Sequence, residues 1–403
     1  MYNVGFGDCI LVTVDQPRVP WRMLVDCGVH PSGASAHDIA AVVEAITTEV
    51  TTDGTPYLDL VVATHRHRDH VSGFADPRWA AVTVGEVWLP WTEDPADKHA
   101  TALRLEQETA ARGITSVLAA TSPPPGIKEA AENSLTNEAA MVTLQSGFAG
   151  APARRYLPVG DAALPTAVRP LGLTAGLIHV LGPSHDPAVL RHMQPPAAES
   201  YRRLVPAADG GSFPVAARLG PFPPGLSLTE TKYKNQYPIL AKALSQETKN
   251  LIENVGKQDL FAAIPGLDSA INNTSLILTL EVGDEVLLLP GDAQWGPWQA
   301  ILGNADTLPL IDQTTFYKVS HHGSYNGSPK SLIAKLDRKI KLDRKITAGI
   351  SVHPVTQWPN IPERALVDQL SQQMTIFQTD KQPPTNANIS QASDGSWIEL
   401  TLD

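Results

Sequence analysis

Leu60-Val61-Val62-Ala63-Thr64-His65-Arg66-His67-Arg68-Asp69-His70 is the stretch whose reading decides the fold: four apolar residues, then three imidazoles and a carboxylate within six residues. A short apolar run of this kind reads as a buried strand, and a loop leaving such a strand can aim several side chains at one point. Neutral imidazole and carboxylate are the side chains that hold zinc, iron or manganese. The His-x-His spacing sets His65 and His67 on the same side of an extended segment, and Asp69 and His70 fall on the turn behind it. Two adjacent metal positions are the expectation. A single histidine here would read as an exposed polar residue at a strand end; four ligand-type residues at this spacing read as a metal loop.

Further chemistry-bearing stretches follow. Leu287-Leu288-Leu289-Pro290-Gly291-Asp292 is an apolar run ending in ordinary Pro-Gly turn chemistry that carries a carboxylate. Lys318-Val319-Ser320-His321-His322-Gly323-Ser324 brings a histidine pair. Side chains at i and i+1 leaving a strand point to opposite sides, so one of the pair is expected to be a ligand. Near the start stand Val4-Gly5-Phe6-Gly7-Asp8 and Leu24-Val25-Asp26-Cys27-Gly28.

Taken in order, these stretches resemble the metallo-β-lactamase-fold hydrolases. His65, His67, Asp69 and His70 match the HxHxDH signature. The Val4 to Asp8 stretch is similar to the VGxGD opening of the ComEC-like branch, Asp26-Cys27-Gly28 to the Asp-x-Gly turn, Asp292 to the metal-bridging aspartate, and His321-His322-Gly323-Ser324 to the HHGS motif. The landmarks run from residue 4 to about residue 355. The resemblance implies an α/β chain whose two αβ halves pack as a four-layer αββα sandwich, with the metals at one edge.

It further implies up to two divalent ions, Zn²⁺ or Mn²⁺, held by His65, His67, Asp69, His70, Asp292 and His322. Asp69 is then needed for catalysis as well as binding. A hydroxide between two cations is a nucleophile at neutral pH, because metal binding lowers the pKa of water from about 15.7 to roughly 7. His322 is assigned to the metal and His321 to the substrate, as phosphate contact or proton donor; the reverse assignment stays open. Many two-metal members carry a further histidine at the first site. Candidates are His179, His185 and His192, with His185 best placed, whereas ComEC-like proteins show an Asn-rich turn that Asn272-Asn273-Thr274-Ser275 resembles. Whether His185, Asn273 or water completes that site is open. His353, in Ile350-Ser351-Val352-His353-Pro354, is the expected second substrate-reaching histidine, against a surface reading.

Length and composition permit such a fold. The chain has 403 residues, 42% of them hydrophobic, enough for a sizeable core. Strand runs at 60–63, 84–89, 275–282 and 286–289 alternate with helical patterns. Ile39, Val42, Val43, Ile46 and Val50 form a helical stripe opened by the capping-box-like pair Ser35 and Asp38; the stripe is core packing. Cys9 and Cys27 lie on neighbouring expected strands and read as small buried hydrophobes, too few for a disulfide framework. There is no signal-peptide pattern and no run near the ~18 apolar residues of a membrane span, so a soluble cytoplasmic protein is the expectation, with room left for an upstream segment.

The formal net charge of −11 argues against a nonspecific nucleic-acid binder. It leaves a nuclease open, since bound cations reverse the local potential. Arg66, Arg68, Arg154, Arg155, Arg202, Arg203 and residues 330–345 are local basic candidates, read first as solvated faces. Residues 92–150 read as a helical insertion. Residues 184–270 read as a Pro-rich and helical insertion of the kind that forms lids, with nine prolines between Pro183 and Pro224 and a helical pattern at 237–255. Residues 335–340 and 341–346 are the same hexapeptide, Lys-Leu-Asp-Arg-Lys-Ile, a local duplication expected to lengthen a surface helix. The function expected is a metal-dependent hydrolase of phosphodiesters, acting on a nucleic acid or a small phosphodiester. Hydrolysis of a carboxylic ester, thioester or lactone is the alternative, and a degenerate metal- or ligand-binding sensor the second. Oligomeric state is not legible.

Overall fold

The computed structural model describes residues 1–33, 37–105, 107–108, 133–134, 137–160, 162–201, 270–337, 346–356 and 358–402. Ser35, most of the 184–270 insertion, the helical pattern at 237–255 and the second hexapeptide apart from Ile346 lie outside these residues.

The chain is mixed α/β, as the alternation of patterns implies, and it forms two large sheets. In the first, β1 (Cys9–Val14), β2 (Trp21–Cys27), β4 (Thr55–Val62), β5 (Thr83–Pro90) and β6 (Ala153–Leu157) follow one another, with β3 (Thr51–Thr52) on β4. The β2, β4, β5 and β6 run is parallel, whereas β1 is antiparallel to β2. The second sheet runs β13 (Thr375–Gln378), β12 (Thr347–Ile350), β11 (Phe316–Lys318), β10 (Glu285–Leu289), β9 (Ile277–Val282), β8 (Leu177–Gly182) and β7 (Thr166–Val168). It is parallel from β10 to β13 and antiparallel from β10 to β7. A small hairpin, β14 (Ile389–Gln391) with β15 (Ile398–Leu400), completes the strands.

Buried parallel strands are covered on both faces and so read as near-continuous apolar runs. Along β4 the period of two sorts the side chains: Leu60 and Val62 enter one core, Val61 another. The first of these cores also draws Met23, Val25 and Trp88 from the first sheet and Ile178, Val180, Leu278, Leu280 and Leu289 from the second. The other joins Leu24, Val61 and Val87 to Val42, Val43 and Ile46 of helix α1 (Ile39–Glu49). A third joins Leu288, Tyr317 and Ile350 to the apolar faces of α4 (Trp295–Leu302), α5 (Lys330–Leu336) and α6 (Arg364–Gln373).

Helix α1 starts where the sequence places it, but its cap is Asp38 itself, whose carboxylate accepts from the Ala40 amide at 3.1 Å. The described part of residues 92–150 includes helix at 98–105 and α3 (Glu138–Val142). Among the described residues no helix is long and apolar enough to cross a membrane.

Candidate metal centre

Parallel strands bring their carboxyl ends to one edge, and the loops leaving that edge are where open α/β sheets gather ligands. Here β2, β4, β10, β11 and β12 deliver, in turn, Asp26, the 64–70 loop, Asp292, the histidine pair and Ser351. The 64–70 loop closes into a single turn, α2 (Arg68–Val71), which buries Asp69 and His70. Close approach of β2 to that turn needs a glycine. A Cβ at Gly28 would lie 2.5 Å from the His70 backbone nitrogen. Asp292 follows Gly291, whose φ of 56° suits glycine and whose Cβ, if present, would meet the Thr64 side chain at 2.9 Å.

Three non-glycine residues at this edge also hold left-handed backbone: Asp26 (φ 55°), His321 (φ 49°) and His322 (φ 52°). Such residues store strain and persist where the surrounding structure over-determines them. Asp26 is the extra residue of a bulge, since Cys9 pairs with Cys27 and Ile10 with Val25. The bulge re-aims its carboxylate at Thr64 and His70. The Thr64 amide and hydroxyl both donate to it at 2.7 Å, and His70 Nδ1 lies 2.8 Å from its Oδ2.

Asp69, His70, Asp292 and His322 each offer one ligand atom to a common group within 4.8 Å, all four buried. His70 Nε2 stands 3.1 Å from Asp292 Oδ2, and His322 Nε2 stands 3.3 Å from both Asp69 Oδ2 and Asp292 Oδ2. Beside them His65 Nε2 faces His67 Nδ1 at 3.1 Å, and the His65 ring lies 4.1 Å from that of His70. Two donors sharing one tetrahedral ion at ~2.0–2.1 Å lie roughly 3.3 Å apart, so these separations fit metal ligands. Asp69 Oδ1, Asp292 Oδ1, His70 Nε2 and His322 Nε2 are buried without a hydrogen-bond partner. This group could therefore hold a metal ion.

The outward nitrogens are aimed by what holds the inward ones. His70 Nδ1 donates to Asp26, and His322 Nδ1 donates to the Ser351 carbonyl at 3.0 Å, leaving each Nε2 for the donor group. His65 Nδ1 is held by the Thr64 and Ser275 hydroxyls at 3.1 and 3.2 Å. Ser275 also accepts from the Asp292 amide, so one hydroxyl ties His65 to Asp292 across the two sheets. Asn133 accepts from the Asp69 amide at 3.1 Å, and Asn137 donates to the Arg66 carbonyl, so α3 and its approach brace the loop from outside.

Charge is arranged in two halves. Burial pushes His65 well below its usual value and takes His67 to about 4, so both rings are neutral, with lone pairs available. His70 and His322 go the other way. Burial opposes their charge, but Asp292 leads a set of carboxylates that outweighs it, holding His70 well above its usual value and His322 at about 10. Burial likewise disfavours ionised Asp69 and Asp292, yet His70 and His322 hold both carboxyls well below the ordinary range.

The remaining expected residues are placed as follows. His321 is half-buried beside the group, its Nδ1 3.1 Å from Asn326 Oδ1 and its Nε2 3.3 Å from Asn272 Nδ2; burial lowers its basicity. His185 stacks on Trp91 with ring centroids 4.4 Å apart and is outside the donor group. His179 pairs with Glu281, and the His192 ring lies against Trp295. Asn273 uses both ends of its amide as a brace, donating to the Leu190 carbonyl at 2.9 Å and accepting from the Gln294 amide at 3.0 Å. His353 is half-buried near Asp380, and no hydrogen bond or ion pair among the described residues joins it to the donor group. Arg66 turns to Glu93 and Glu108 at 3.8 and 3.9 Å.

Sequence reasoning gave no role to Asp8, Asp26 or Lys318. The signal was present: each is a charged residue at the end of an apolar strand or turn that the fold buries, with exposures of 1%. No family model matches the chain, and no curated protein matches it.

Proposed function

We propose that the chain is a metal-dependent hydrolase of phosphodiester bonds, binding up to two divalent ions, Zn²⁺ or Mn²⁺. The observation that carries this reading is the convergence of four imidazoles and two carboxylates from both sheets, with buried nitrogens and oxygens 3.1–3.3 Å apart, of which His70 Nε2 and His322 Nε2 have no hydrogen-bond partner. Asp8, Asp26, Asp69 and Asp292 are all buried at this edge, with Lys318 paired to Asp8, and bound cations would take over from protonated His70 and His322 the role of offsetting Asp69 and Asp292. The three cores are the packing that a four-layer αββα arrangement of the metallo-β-lactamase type would produce.

In this reading Asp69, His70, Asp292 and His322 would hold one ion, and His65 with His67 would help to hold the other. When bound, such ions lower the pKa of water and polarise the phosphoryl oxygen under attack. The chain's own residues do the rest. Asp26, Ser351, Thr64 and Ser275 fix the imidazole orientations. His321, neutral at pH 7, accepts a proton or a substrate hydrogen bond at Nε2, where Asn272 now donates. The carboxylates repel an anionic substrate unless cations are in place, which couples substrate binding to metal loading.

The test is purified protein, analysed for metal and assayed on an aryl phosphodiester, a carboxylic ester and a lactone, with and without chelator. Chelator-sensitive phosphodiester cleavage is the expected result. Lactone or ester turnover without phosphodiester cleavage would replace the substrate class, inactivity at full metal occupancy would favour a binding protein, and failure to bind Zn²⁺ or Mn²⁺ would end the metal reading.

A further inference from the structure

A lysine inside a parallel strand is a costly choice, because an ammonium removed from water must face carboxylates. Lys318, the last residue of β11, is 1% exposed. Its Nζ forms an ion pair with Asp8 Oδ2 and stands 3.8 Å from Asp292 Oδ1. Asp8 lies 3.7 Å from His70 Nδ1 and 3.8 Å from His322 Nδ1, the nitrogens turned away from the donor group. Asp8, with the ammonium paired to it, therefore stands on the Nδ1 side of both rings.

Asp8, Asp26 and His70 form a second set of possible ligand atoms within 4.8 Å, all buried. Two carboxylates and an imidazole at that spacing would attract a divalent ion in their own right. An ion there would draw on His70 Nδ1 and compete with the hydrogen bond from His70 to Asp26. We propose that Lys318 is the resident cation of this inner set, and that its charge confines metal ions to the outer group of Asp69, His70, Asp292 and His322. The proposal rests on the metal-binding reading above. It makes Lys318 a positioning residue: by satisfying Asp8 it leaves Asp26 to orient His70, whose Nε2 is then presented outward.

The experiment is zinc stoichiometry by equilibrium dialysis and elemental analysis, in the wild-type chain and in Lys318→Met, Lys318→Gln and Lys318→Arg. Gln keeps a hydrogen-bond donor toward Asp8, so it reports even where Met prevents folding. Both neutral variants should bind one more zinc per chain than wild type, and Arg should keep the wild-type count. Adding Asp8→Asn to Lys318→Gln should abolish the extra equivalent, because the inner set loses a ligand charge. A wild-type count in the folded neutral variants overturns the proposal, as does an extra zinc that survives Asp8→Asn. A wild-type chain that takes up no zinc overturns it together with the reading on which it rests.

Discussion

Replacing Asp292 by Ala would leave His70 and His322 without the carboxylate that each faces at 3.1 and 3.3 Å. Metal content by elemental analysis should fall by at least one equivalent and chelator-sensitive turnover should disappear; full occupancy in Asp292→Ala would remove this residue from the ligand set. Asp26→Asn probes the next layer. It keeps the shape but weakens the acceptor of His70 Nδ1, and such partners are typically worth ~10–100-fold in metal affinity. His321→Ala is the contrasting case, because its nitrogens face Asn272 and Asn326 rather than the donor group. A loss of ~10²–10⁴-fold in kcat with unchanged metal content is expected for a residue that handles protons, and lost metal would reassign it as a ligand. The clustering of these residue types was legible, since His65, His67, Asp69 and His70 lie close enough in sequence for spacing to speak. Asp26 was not, because its role depends on a bulge that one sequence position cannot announce.

At the scale of elements, what could be read was whatever local periodicity fixes. The strands at 60–63, 84–89 and 286–289 and the stripe of α1 follow from alternation and helical spacing, and the structure has them as β4 with its continuation, β5, β10 and α1. What could not be read was which loops meet. Asn272 and Asn273 look equivalent in sequence, yet one amide reaches His321 and the other braces Leu190 and Gln294. The histidine pair shows the same limit. Strand alternation argues for opposite directions, but the separation of His321 from His322 is made by two successive left-handed residues in a tight turn. His353 follows Ile350 of β12 by three residues and lies close enough to Asp380 to act on its charge, a proximity made by long-range packing. Caps are local, so they yield a clean prediction. Asp38→Ala removes the acceptor for the Ala40 amide and should cost about 1 kcal/mol in denaturant unfolding without altering metal content; coupled loss of metal would mean that α1 supports the site more directly than its packing indicates.

For the whole molecule, the charge pattern at the site sets how stability responds to pH. In chelator-treated protein His65 and His67 are held neutral, His67 with a value of about 4. An unfolded histidine titrates near 6.5, so as pH rises from about 4 to 6.5 the unfolded chain holds the extra protons and stability climbs. His70 and His322 have raised values, His322 about 10. The contribution of His322 is complete below about 6.5 and is lost as pH rises through 10, and that of His70 is lost in the same direction, so stability then declines. The metal-free chain should melt at its highest temperature near pH 6.5, with a fall on either side. Metal ions require the deprotonated rings, so loading at pH 7 must displace protons from His70 and His322. Calorimetric titration with Zn²⁺ in buffers of different ionisation enthalpy should show release of about two protons per chain, and the melting temperature gained on loading should widen as pH rises above 6.5. Zinc binding with no proton release at pH 7 would show that the two imidazoles are neutral before the metal arrives, and would remove the carboxylates' hold on them from the account of this site.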